Sequence, residues 1–168
     1  MRGLLAALLL FLTCSSTAFA QLIPPPTNVV SLSGPRFGVT YLDDGVRAKL
    51  LENYVEVTST ITQFGWQFEQ QFYTRGSGLT VLNEWVVLLG GLEQGVALPS
   101  LSWIVGLRSS SGSEFGFGPN ITPAGVALAI AGGTTFQAGP MNVPVNVAVV
   151  PSKDGVRISF LTGFSIRR

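Results

Sequence analysis

The chain has 168 residues, a formal net charge of +1, 11% charged residues, no histidine and a mean hydropathy of +0.44. A soluble domain of ordinary composition carries about 25% charged residues, so little of this surface is built for water. The balanced charge without any Lys/Arg cluster excludes an electrostatic footprint for nucleic acid, and the absence of histidine removes Ser-His hydrolase chemistry and the commonest metal ligand together.

Arg2, the apolar stretch Gly3 to Leu12 and the small-residue site Ala18-Phe19-Ala20 have the layout of a secretory signal. This predicts a signal peptide over 1–20, cleaved before Gln21. The apolar run is about ten residues, half of the about twenty that a membrane-crossing helix needs. Cys14, the single cysteine, falls inside this segment, so the mature chain has no thiol for a disulfide. Phe11-Leu12-Thr13 lacks the Leu and the small residue that precede a lipid-modified cysteine in bacterial lipoproteins. Residues 21–35, with Pro24, Pro25 and Pro26 followed by Ser and Gly, read as an extended leader. Residues 36–168 are then one domain.

Eight strand-like runs follow, rich in Val, Ile, Phe, Trp and Thr and bounded by Gly, Ser, Asn or Pro: Arg36–Leu42, Thr60–Thr74, Gly78–Gly90, Leu98–Ser109, Ser113–Ile121, Gly125–Phe136, Met141–Val150 and Val156–Arg167. Between the first two, Asp43 to Tyr54 predicts a short helix capped by Asp43 or Asp44, with Val46, Leu50 and Tyr54 on one face, covering one end of the domain. Arg75-Gly76-Ser77-Gly78, Ser110-Ser111-Gly112, Gly139-Pro140 and Lys153-Asp154-Gly155 are hairpin connections, too short for crossover helices. The expected fold is all-β: a single eight-stranded antiparallel up-and-down β-barrel with one short helix in the first inter-strand loop.

Alternate side chains of a strand share a face. One row is large and apolar: Phe64, Trp66, Phe68 and Phe72; Leu101, Trp103, Val105 and Leu107; Phe115, Phe117 and Ile121; Val156, Ile158 and Phe160. The other is small or polar, with Gly106, Gly116, Gly118 and Gly163 suited to a crowded interior. If the polar row points inward, Arg36, Glu69, Glu84, Arg108, Glu114 and Arg157 form a balanced luminal charge cluster, a plug of salt bridges, and Phe64, Trp66, Phe68, Trp103, Phe115 and Phe160 face lipid. The inner row is partly apolar at Val86, Leu88, Ala127, Ala129, Ala131 and Val150. That leaves open a soluble periplasmic or secreted barrel, lipocalin-like, binding a small apolar ligand in a cavity lined by Phe64, Trp66, Phe68 and Trp103.

The eight amphipathic runs, together with Glu114-Phe115-Gly116-Phe117-Gly118-Pro119-Asn120 and the Gly/Ala-rich strand after it, resemble small bacterial outer-membrane β-barrel proteins of the eight-stranded type. The resemblance covers most of Arg36 to Arg168, although the chain ends Ile166-Arg167-Arg168 where such barrels end on an aromatic residue. It implies an outer-membrane location, membrane lipid and the outer-membrane insertion machinery as partners, and an envelope-structural or surface-interaction role. The sequence sets no oligomeric state. No catalytic, cofactor or metal site is expected; an enzymatic reading rests on Glu69 and Glu114 as an acid-base pair, with no substrate to propose.

Overall fold

The computed structural model describes residues 31–53, 55–74 and 78–166. The predicted signal peptide and most of the leader lie outside the described residues, as do Tyr54, Arg75-Gly76-Ser77 and Arg167. The strands are β1 (Gly34–Leu42), β2 (Thr60–Thr74), β3 (Thr80–Gly90), β4 (Leu98–Arg108), β5 (Ser113–Thr122), β6 (Gly125–Ala138), β7 (Met141–Ser152), β8 (Gly155–Gly163) and a two-residue β9 (Ser165–Ile166). Each of β1 to β8 pairs antiparallel with its sequence neighbours, and β1 with β8 closes the ring. The result is the expected eight-stranded up-and-down barrel.

Closure is staggered. Partners traced from Phe37 through Phe64 and Leu89 reach Pro99 at the start of β4. Traced the other way, through Thr162, Val145 and Thr134, they reach Ser113 at the start of β5. Those endpoints lie at opposite ends of the β4–β5 pair, the stagger that tilts strands about a barrel axis.

Several strand ends shift by one or two residues from the sequence reading, as at Thr80, Ala138 and Ser152, and two differences have a clear cause. Strand β1 begins at Gly34, so Gly34 and Pro35 belong to the wall rather than to the leader, because Gly34 to Gln67 and Pro35 to Trp66 extend the β1–β2 ladder. The last strand, expected to run unbroken over Val156–Arg167, is interrupted at Phe164. β1 offers its edge to β8 only up to Arg36–Gly163, and beyond it the chain leans onto β7 instead, with Ser165 opposite Asn142. Gly163, the last residue paired with β1, stands where the backbones are crowded. A Cβ there would sit 2.1 Å from the Pro35 carbonyl oxygen and 2.9 Å from Nη1 of Arg36.

The helix α1 (Asp44–Glu52) forms where the sequence places it. Asp43 is its N-cap, accepting from the Asp44 N–H, and the Asn53 N–H closes back on the carbonyls of Leu50 and Leu51. Val46 and Leu50 are buried against Leu42, Val57, Ile61 and Leu98, so α1 stops one end of the barrel with an apolar plug. We call this the helix end; the first and last described residues lie at the opposite end. In the β3–β4 connection a 3-10 turn, Leu92–Gln94, holds Glu93 against β2, where it accepts from the Thr62 N–H and hydroxyl. Those donors hold the Glu93 carboxyl down at about 2.

Candidate functional site

The strand alternation sorts the wall into two chemistries. All the charged residues of the strands, Arg36, Glu69, Glu84, Arg108, Glu114 and Arg157, lie on the inward row, and the outer row carries none. Phe64, Trp66, Phe68, Trp103, Phe115 and Phe160, the six aromatics singled out from the sequence, are all exposed on the outside, between 43% and 58%. None of the four aromatics that the carrier reading assigns to a cavity wall faces inward, because each shares strand parity with the outer row.

Inside, the polar half of the lumen is organised around one guanidinium. Arg108, at the end of β4, donates from Nη1 and Nη2 to the two oxygens of Glu69 at 2.8 and 2.5 Å. It also donates from Nε and Nη2 to Oε2 of Glu114 at 3.0 and 2.7 Å, and Glu84 stands 3.7 Å away. Three strands thus converge on β4: β2 brings Glu69, β3 brings Glu84 and β5 brings Glu114. The planar fork of an arginine suits this sharing, since its five donors can serve two carboxylates at once.

Amides complete the network. Asn146 of β7 donates to Glu114 at 2.7 Å, and Gln71 donates to Glu69 at 3.0 Å. Gln67 donates to Glu84 at 2.8 Å while accepting from Nε of Arg36 at 3.0 Å. Arg36 in turn reaches the carbonyls of Leu32 and Pro35, at 2.6 and 3.0 Å. Side-chain exposure is 0% for Glu69, 7% for Glu114 and 10% for Arg108, so these bonds stand where an unpaired charge would be costly.

Of the six luminal charges read from the sequence, this brings together Arg36, Glu69, Glu84, Arg108 and Glu114. Arg157 does not join them. It sits toward the helix end, paired in register with Leu42, and donates from Nη1 to the Thr122 hydroxyl. Among the described residues it makes no ion pair, and its Nε is buried without a partner. The balanced plug of three and three is therefore a cluster of five with one arginine apart. The amides Gln67, Gln71 and Asn146 were not assigned a role from the sequence. Gln67 and Gln71 were visible on the polar row of β2; Asn146, between Val145 and Val147, was with Asn142 a polar signal in a largely apolar strand.

Between the charge cluster and the α1 plug lies a cavity of about 100 Å³, lined by the apolar Ile104, Ala129 and Val150 and the polar Thr40, Gln63 and Asn120. The apolar inward positions noted in β3, β6 and β7 belong to this middle layer. Its polar members are internally bonded, Thr40 to Gln63 at 2.6 Å and Asn120 to the hydroxyls of Ser100 and Ser102 at 2.9 Å. Family models, curated proteins and solved structures yield no match to this chain.

Proposed function

We propose that this protein is a non-enzymatic outer-membrane β-barrel with an envelope-structural or surface-interaction role. The observation that carries the reading is the outer wall, which has no charged residue on any described strand and is exposed at Phe64, Trp66, Phe68, Val105, Phe117 and Leu128. Contiguous apolar surface on this scale is not tolerated by a soluble monomer, and it suits an exterior bathed in hydrocarbon. Strand length agrees: the shortest strands of the ring, β1 and β8, have 9 residues, and a tilted membrane-spanning strand needs about 9–11. Part of the polar content of that wall is internally bonded, as lipid demands. Trp103 donates to Asn83, which donates to Gln70.

Among the described residues, the charges outside the lumen gather at the helix end, on Asp43, Asp44, Arg47, Lys49, Glu52, Glu56, Glu93, Lys153 and Asp154. That end also carries the longest connection, residues 43–59, and in membrane barrels the longer loops face outward from the cell. The helix end is then the surface for interaction. The lumen, filled toward one end by the Arg108 cluster and closed at the other by α1, supports a plugged barrel rather than a pore.

The soluble carrier reading has the internal cavity in its favour, but about 100 Å³ is well short of the about 300–1,000 Å³ of sites for drug-sized ligands. Cell fractionation, followed by electrophoresis with and without boiling, tests the choice. Recovery in the outer membrane with a boiling-dependent mobility shift is expected. Recovery as a soluble, monodisperse protein sinks the membrane reading.

A further inference from the structure

The ladder between β6 and β7 stops at Ile130 and Val149. Toward the helix end, Gly125 to Ala129 point their free edge at Val150, Pro151 and Ser152, but the two edges share no pairing. β6 is held there by β5 alone, through Val126 to Ile121 and Gly125 to Thr122. β7 is held by β8, through Val150 to Arg157 and Ser152 to Gly155. The wall therefore has a seam on this side. A pocket of about 420 Å³ occupies it.

Three cations line that pocket, Lys49, Lys153 and Arg157, against one acid, Asp154. Lys49 is already bonded to Glu52 at 2.6 Å. Lys153 is exposed and makes no ion pair among the described residues. Arg157 is 7% exposed, leaves Nε without a partner, and lines both the seam pocket and the inner cavity. Nη1 is taken by the Thr122 hydroxyl, and the rest of a guanidinium this buried calls for a further acceptor. Its fork matches the oxygens of a phosphate or carboxylate, and no carboxylate of the chain forms an ion pair with it among the described residues. The unpaired strand edges add backbone donors that hydrocarbon cannot satisfy. Beside them the outer wall is apolar, with Val126 69% exposed next to Pro151.

We propose that the β6–β7 seam binds the anionic head of an amphiphile, a phosphate-type oxyanion held by Arg157 with Lys153 at the rim, its apolar part lying along Val126 and Pro151. The anion site rests on Arg157 and the seam. The lipid source of that anion rests on the membrane reading above.

The test uses the chain folded in dodecyl maltoside micelles and titrated separately with dodecyl phosphate, inorganic phosphate and dodecyltrimethylammonium, with binding followed by native mass spectrometry and calorimetry. Saturable binding of one dodecyl phosphate per chain is expected, weakened about tenfold or more by Arg157→Gln and by a smaller factor by Arg157→Lys, which keeps the charge and loses the fork. Inorganic phosphate bound equally well, with the same dependence on Arg157, supports the anion site and overturns its lipid source. Dodecyl phosphate binding indifferent to Arg157→Gln, or matched by dodecyltrimethylammonium, overturns the site. Should Arg157→Gln fail to fold, Lys153→Gln, at an exposed position outside the strands, carries the test, with weaker dodecyl phosphate binding expected and unchanged binding overturning the proposal. A protein that fractionates as soluble yet binds phosphate through Arg157 separates failure of the membrane reading from failure of the site.

Discussion

Arg108 is the residue on which the polar lumen depends. Among the described residues it is the one side chain bonded to both Glu69 and Glu114, and Glu84 stands 3.7 Å from it. Truncating it would leave three buried carboxylates facing one another with Arg36 as their remaining cation. Removing one partner of a buried ion pair costs about 3–5 kcal/mol, because the charge left behind has lost its water and its counter-charge. Arg108→Ala is therefore expected to lower the unfolding free energy of the barrel by that much, read as a lower urea midpoint, and adding Glu69→Gln to it should restore part of the loss. An unchanged midpoint for Arg108→Ala would show that the cluster contributes nothing to stability. Sequence alternation placed Arg108, Glu69, Glu84 and Glu114 on one row, yet it carried no signal that Arg157, on that same row, stands apart.

Among the elements, α1 has the clearest structural duty. Its Asp43 cap and its spacing of Val46 and Leu50 are local features, readable in sequence, and they suffice to predict a helix with one apolar stripe. What that stripe covers is a tertiary matter: Leu42 from β1, Ile61 from β2 and Leu98 from β4 are gathered under it by closure of the barrel. Leu50→Ala should cost about 2–5 kcal/mol, the range for emptying a packed leucine site. The urea midpoint measures it, and a loss below about 0.5 kcal/mol would mean that the helix merely rests on the rim. The break at Phe164 belongs to the same scale. Apart from Leu161-Thr162, Val156 to Ile166 alternates through Phe164 in sequence, and only the limit of the β1 edge ends β8 at Gly163.

For the molecule as a whole, the decisive property is which row of the wall meets the surroundings. Val147 lies mid-strand on β7, outward, between Phe160 and Gly132. An arginine at the midplane of a lipid-facing wall costs about 2–4 kcal/mol, whereas on a soluble surface it would be neutral or would improve solubility. Val147→Arg is accordingly expected to reduce stability in lipid vesicles by about 2–4 kcal/mol, read from reversible unfolding in urea. Undiminished stability in vesicles together with higher solubility in buffer would contradict a hydrocarbon environment.

The sequence by itself determined the strands, their number, their hairpin connections, the capped helix and the two rows of side chains. These are local: a period of two, turn residues and a cap need only neighbouring residues to be read. Tertiary structure alone decided that Arg108 gathers three glutamates, that Arg157 remains apart, that β8 gives way at Phe164, and that β6 and β7 part beyond Ile130 and Val149. Each depends on register and stagger around a closed ring. Those set which residues of distant strands stand at the same height, and no single strand encodes them.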